Sequence, residues 1–176
     1  MLKRKISDYL ESYFTPNRRE ALLITGARQV GKSYAIREFG KSHYSSFIEI
    51  NLLEDSIART SISKASNSKD LLLRITAIAS QPLIKGKTLI FFDEVQVVPE
   101  IVTAIKFLVE EGSYQYVLSG SLLGIGLKGI SSMPVGYLTV KEMYPLNLEE
   151  FYRACGISDN IFSVLEEAFK AEREID

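Results

Sequence analysis

The stretch that decides the fold is Ala21–Gly40, "ALLITGARQVGKSYAIREFG". Its opening run, Ala21–Thr25, is short, continuous and apolar, the pattern of a strand buried on both faces of a parallel sheet. From Lys32 the pattern "KSYAIREFG" is helical, and Gly40 is expected to stop that helix. Between the two, Gly26–Ser33 reads G-A-R-Q-V-G-K-S and fits G-x-x-x-x-G-K-[ST] without a mismatch. In that context the spacing is that of a loop whose backbone N–H groups and helix N-terminus face a phosphate chain. Gly26 and Gly31 permit a backbone approach that a Cβ would hinder. Lys32 is expected to reach the β- and γ-phosphates, and the Ser33 hydroxyl to ligate Mg²⁺. The candidate nucleotide-contacting positions are therefore Gly26, Ala27, Arg28, Gln29, Val30, Gly31, Lys32, Ser33 and Tyr34. Among these, Arg28 and Gln29 read best as solvated rim residues.

A second signal lies downstream. "KTLIFFDE" is an apolar strand that ends in two carboxylates, Asp93 and Glu94. In an open parallel sheet the C-terminal strand ends form the ligand-binding edge, so the pair should share an edge with the phosphate loop. Phosphoryl transfer needs a carboxylate that positions Mg²⁺ and a group that orients the attacking water. Asp93 is the expected metal-associated residue, beside Ser33, and Glu94 the expected base. Neighbours on a regular strand point to opposite faces, so both can serve only where the strand is ending. The second carboxylate favours hydrolysis over kinase chemistry. A third polar tip, "YVLSGS", offers Ser119 or Ser121 at a strand end; Ser119 stands closer to the place where a hydroxyl would sense the γ-phosphate or hold the water. The catalytic set is thus Lys32, Glu94 and Ser119.

The chain has 176 residues, 46% hydrophobic and 24% charged, with net charge −1. That is one ordinary domain with enough apolar content for a core and no global charge that advertises nucleic acid or membrane. One Cys (Cys155) and one His (His43) exclude a disulfide framework and speak against structural zinc. Cys155 reads as packing and His43 as a loop residue. The N-terminal "MLKRKISDYLESYF" starts basic but carries Asp8 and Glu11 where an export signal would be apolar. Leu2, Ile6, Tyr9, Leu10 and Tyr13 recur instead at helical spacing. The expectation is a soluble, cytoplasmic protein without a membrane partner.

Strands also read at "SFIEINL", "YQYVLSGS" and "YLTVKEMYPL", and helices at "SKDLLLRITAIAS", with Ser68 or Asp70 near its start, and "VPEIVTAIKFLVEEG". Residues 53–66 admit a short helix. "LLGIGLKGISSMPVG" reads as a mobile glycine-rich loop. "NLEEFYRACG" and "DNIFSVLEEAFKAEREID" close the chain as helices. Alternating strands and helices give an α/β fold of βαβ units around a mainly parallel sheet. The expected division is an N-terminal helix and linker (1–20), an ATPase core (21–146), and C-terminal helices that begin a lid (147–176).

The motifs "ITGARQVGKS", "LIFFDEVQVVPE", "KFLVEEGSYQYVLSGSLL" and "PVGYLTVKEMYPLNLEEF" fall in order across Ile24–Phe151. With them the chain resembles AAA-type P-loop ATPases, and among them the prokaryotic and archaeal group that carries a C-terminal domain of uncharacterised, nuclease-like type. The resemblance implies a P-loop NTPase three-layer sandwich with five strands in the order 5-1-4-3-2. It also implies ATP with Mg²⁺, and the roles given above for Lys32, Ser33, Asp93 and Glu94. Relatives often carry Arg or Lys where this chain has Tyr137, so no cation role is carried over there. The group's further C-terminal domain, with any arginine it holds, would lie beyond "AEREID". Adenine is preferred on the resemblance, and a GTPase is disfavoured because no N-K-x-D follows the acidic strand.

The leading reading is an ATP-binding, Mg²⁺-dependent ATPase whose ATP/ADP state acts as a switch. Arg37, Arg59 and Arg74 offer charge without a motif, so an arginine supplied in trans by a homo-oligomer would be needed for a fast rate. The alternative is a non-hydrolysing nucleotide-binding regulatory module or fragment that needs a partner or a further C-terminal domain; no feature identifies a protein or DNA partner. "MLKRK" with Tyr9 and Tyr13 is too little to mark a nucleic-acid surface.

Overall fold

The computed structural model describes residues 4–16, 18–121 and 134–171. In chain order the elements are α1 (Lys5–Tyr13), β1 (Ala21–Gly26), α2 (Lys32–His43), β2 (Ser46–Asn51), α3 (Ser56–Ser63) and α4 (Ser68–Ile78). They continue with β3 (Thr88–Asp93), a 3₁₀ turn (Val95–Val97), α5 (Glu100–Glu111), β4 (Gln115–Ser121), β5 (Leu138–Glu142), α6 (Leu148–Ala154) and α7 (Asp159–Lys170). Leu2 and residues 122–133 of the expected loop over 122–136 lie outside the described residues.

The five strands form one sheet in the order β2-β3-β4-β1-β5, with every pairing parallel. This is the three-layer α/β fold of P-loop NTPases with the strand order that the resemblance implies. Why β1 and β3 carry continuous apolar runs, and β4 a shorter one at Tyr116–Leu118, follows from the layers. Leu22, Ile24, Leu89, Phe91 and Val117 turn to the face covered by α1 and α2, packing with Ile6, Leu10, Ile36 and Phe39. Their alternates Leu23, Ile90, Phe92, Tyr116 and Leu118 turn to the face covered by α3, α4 and α5. All six residues of β1 are buried, and each large side chain so enclosed contributes on the order of 1.5–3 kcal/mol. Polar alternation would have left one face wet; here neither is.

Local chemistry sets the helix limits. Asp55 caps α3 by accepting from the Ala58 N–H at 2.8 Å, so the short helix expected over 53–66 forms. α4 starts at Ser68, as expected, with Asn67 as its cap, accepting from the Asp70 N–H at 3.0 Å. Pro99 precedes α5 and Gly112 ends it. Gly40 does not end α2, which runs to His43. A Cβ at Gly40 would meet the Phe47 ring at 2.2 Å, so this glycine serves the close approach of α2 to β2. His43 is therefore helical, not in a loop; its ring stacks on Phe39 at 4.5 Å. Cys155 is exposed at the end of α6 and is not a packing residue. No helix among the described residues is long and apolar enough to cross a membrane.

Candidate functional site

The sheet order puts β4 between β1 and β3, so three strand ends meet at one edge. From β1 comes the loop. Gly26 has φ +145 and Gly31 φ +95, and between them Gln29 takes φ 62. Left-handed residues within a short loop turn successive N–H groups to one side, the geometry of an anion-binding nest. A Cβ on Gly26 would stand 2.1 Å from the Met143 carbonyl oxygen, in the segment that leaves β5. Arg28 and Gln29 are exposed at the rim, as is Ala27; Val30 and Ser33 are half-buried, and Tyr34 is exposed. Gly31 sits at the start of α2 with no side chain capping the helix, so the first-turn amides, which lack intrahelical partners, are not taken up by a cap.

Lys32 is buried, and its ammonium donates to the carbonyls of Gly26 at 3.2 Å and Ala27 at 2.7 Å. Burial lowers its pKa, against the opposing attraction of Glu94 and Asp93. The lysine thus closes the loop on itself within the field of the acidic pair.

From β3 comes that pair. The strand ends at Asp93, and Glu94 leaves it in the left-handed region at φ 58, ψ 46. A non-glycine residue held there costs on the order of 1–3 kcal/mol and persists only where its surroundings enforce it. Asp93 is 3% exposed, and its Oδ1 accepts from the Glu94 N–H at 3.0 Å and from the Ser119 hydroxyl of β4. The Ser119 side chain is wholly buried and is committed to that carboxylate. Sequence reasoning missed Gln96. Its Nε2 donates to the Glu94 carboxylate, while its Oε1 accepts from the Ser121 N–H at 3.3 Å. One amide in the 3₁₀ turn thereby ties the Glu94 side chain to the tip of β4, and Ser121 stands in register with Gly26. The signal was present in "DEVQ": a residue two past Glu94, in a turn, can fold back onto it.

The structure brings Lys32, Asp93, Glu94 and Ser119 to the same edge. Arg37 and Arg74 are engaged elsewhere, Arg37 with Glu49 at 2.6 Å and Arg74 with Asp70 at 2.9 Å. Arg59 lies on α3.

No curated protein matches the sequence. Among solved structures the chain is similar to one in the structure of Drosophila ORC bound to DNA, at 15% identity and a TM-score of 0.54, over 85% of this chain and 44% of that one. It also matches C. elegans PCH-2 at 14% identity and a TM-score of 0.44, over 97% of this chain and 46% of that one. The chain spans less than half the length of either, and at such identity the ORC likeness is one of fold alone. The family model for the AAA domain matches residues 18–152, which include the loop, the acidic pair and the β4 tip. The chain belongs to the AAA domain family.

Proposed function

We propose that the protein binds ATP with Mg²⁺ at Gly26–Tyr34 and hydrolyses it slowly on its own, with the nucleotide state acting as a switch. The observation that carries this reading is the convergence of the loop, the acidic pair and the Ser119 tip on one sheet edge. The residues fit the ligand. Gly26 and Gly31 keep the loop free of Cβ atoms, and Lys32 lies buried within it. Among the described residues no group of three or more His, Cys, Asp or Glu could hold a metal alone. Mg²⁺ would accordingly be held by Ser33 and Asp93 with phosphate oxygens and water, the usual arrangement for this ion. When bound, it would neutralise charge on the phosphates.

The chain's own groups then divide the work. Loop amides and the α2 N-terminus bind phosphate oxygens. Lys32 exchanges its two carbonyl partners for the β- and γ-phosphates. Ser119 holds the Asp93 carboxylate in place. Glu94 orients and polarises the attacking water. The helices from 147 onward act as the start of a lid, following an N-terminal helix and linker up to 20 and a core over 21–146. An arginine supplied in trans by a second copy would speed turnover. In keeping with the resemblance, a nuclease-like C-terminal domain belongs to the same proposal; a cytoplasmic setting follows from the composition, and no residue here identifies a protein or DNA partner.

One observation favours a second reading, a nucleotide-binding regulator without turnover: the Glu94 carboxylate is already engaged by Gln96. Labelled ATP with Mg²⁺, titrated into wild type, Lys32→Ala and Glu94→Gln with phosphate release followed over protein concentration, separates the two. The ATPase reading expects Lys32→Ala to lose binding and Glu94→Gln to bind while losing turnover by about 10²–10⁴. A rate per protein that rises with concentration supports the arginine in trans. Binding by wild type with Glu94→Gln silent at every concentration sinks hydrolysis in favour of the regulator.

A further inference from the structure

Arg4 stands just before α1, and its side chain is 13% exposed. Its guanidinium reaches three separate pieces of the chain. Nη1 donates to the Val30 carbonyl of the phosphate loop at 3.1 Å. Nη2 donates to the Tyr144 carbonyl, beyond β5, at 2.8 Å. Nε stands 3.1 Å from Glu150 Oε1 in α6. Glu150 is itself 4% exposed. It accepts from the Lys5 N–H at 2.8 Å and completes the capping box of α6 with Asn147. A planar cation with its donors in a fixed fork suits such a junction in a way that a lysine does not. The Nε donor is buried but not aligned for a hydrogen bond to Glu150. A buried donor left so carries a desolvation cost that a small shift of Glu150 would relieve.

The Val30 carbonyl and the Gly31 N–H belong to one planar trans peptide, in which they point in opposite directions. A cation fixed on the oxygen therefore sets the tilt of that plane, and with it the aim of the Gly31 amide on the other side. It also polarises the peptide in the sense that strengthens this N–H as a donor to an anion. The same guanidinium anchors the first turn of α6. Whatever tilts the loop peptide is felt at Glu150, and the reverse holds by linkage.

We propose that Arg4 is a positioning residue that presets the Gly31 amide for a phosphate group and couples occupancy of the loop to the seating of α6. This rests on the nucleotide reading of the loop. A staple that merely holds the fold together would make the same static contacts, so the test must read coupling rather than stability. With the whole chain, a fluorescent ADP analogue gives affinities for wild type, Arg4→Gln, Arg4→Lys and Glu150→Gln. Hydrogen exchange reports the amides of residues 148–155 with and without saturating ADP.

In wild type, ADP should slow exchange in α6. Arg4→Gln should weaken ADP binding roughly tenfold, a usual size for coupling between sites, and should lose the α6 response even at saturation. Arg4→Lys, which keeps the charge without the fork, should not restore that response. Glu150→Gln should bind ADP within a few-fold of wild type yet lose the response, so the coupling can be read from the far end should Arg4→Gln fail to fold. Wild-type ADP affinity with an intact α6 response in Arg4→Gln, or in both Arg4→Lys and Glu150→Gln, overturns the inference alone. Failure of wild type to bind ADP overturns the nucleotide reading and this inference with it.

Discussion

The two glycines of the phosphate loop should fail in different ways when each is replaced by alanine. At Gly26 a Cβ would lie 2.1 Å from the Met143 carbonyl oxygen and 3.2 Å from its carbon. These are backbone atoms, and they cannot retreat freely, because the Met143 N–H donates to the Thr25 carbonyl at 2.8 Å. At Gly31 the nearest atoms are the Met143 Cε at 3.7 Å and the Arg4 Nη1 at 3.8 Å, ordinary contacts with flexible side chains. Both positions have positive φ, 145° and 95°, so alanine meets backbone strain of about 1–3 kcal/mol at either. Gly26→Ala adds overpacking against an anchored strand exit, about 1–3 kcal/mol more. The gap between the variants is therefore about 1–3 kcal/mol, or roughly 2–12 °C in Tm for a chain of this size. Thermal unfolding followed by circular dichroism measures the gap, and binding of a fluorescent ATP analogue well below both Tm values measures function. Gly31→Ala should remain folded and lose nucleotide affinity, whereas Gly26→Ala should lose stability first. Equal losses in Tm, or a greater loss in Gly31→Ala, would refute the argument from the Met143 contact.

Two further outcomes test the neighbouring contacts. If Gln96 holds Glu94 away from water, Gln96→Leu removes one charged hydrogen bond and should raise basal phosphate release about tenfold with little change in KM; a fall in the rate in a steady-state assay would show that Gln96 aims Glu94 rather than restrains it. Burial works against ionisation of Glu150, yet its pKa is lowered, because the N–H groups of Lys5 and Asn147 and the Arg4 guanidinium outweigh burial. The stability it contributes is then complete above the unfolded carboxylate pKa of about 4.3 and lost as pH falls through the lower folded value. Melting curves from pH 6 to pH 3 should show Glu150→Gln below wild type at the upper end, with the gap closing in acid. A gap that stays constant would mean that the charge is not what matters.

The loop, β1 and the β3 carboxylates were legible because their signal is local: an apolar run, a fixed glycine spacing, and an abrupt change from Phe92 to Asp93. The requirement that β3 end at the acidic pair could also be stated in advance, since a regular strand would have sent Asp93 and Glu94 to opposite faces; the chain meets it with Glu94 at φ 58. The strand order came from the resemblance, because no residue pattern within one strand names its neighbours. Gly40 misled for a physical reason. Glycine near the end of a helical pattern serves either as a stop or as a gap for a neighbour, and only the Phe47 ring on β2 decides between them. The start of α4 at Ser68 was legible, while its cap, Asn67, was not singled out, because Asn67, Ser68 and Asp70 all have capping side chains and the backbone alone selects which one lies outside the helix.

What sequence could not give was the wiring between the motifs. Arg4 lies 26 residues from Val30 and 140 from Tyr144, and nothing in "MLKRK" distinguishes a solvated cluster from a guanidinium turned inward. The structure distinguishes them by burial and by the number of acceptors that converge on one fork. The same reasoning separates the two sides of the loop. Inside, Lys32 donates only to the Gly26 and Ala27 carbonyls of the loop itself, and no carboxylate pairs with its ammonium among the ion pairs of the described residues. Outside, Arg4 holds the Val30 carbonyl together with two elements that a phosphate does not touch, so it has no reason to let go. A ligand entering the loop therefore meets one yielding cation and one fixed one. On the coupling proposed for Arg4, that asymmetry is what would pass binding energy to α6.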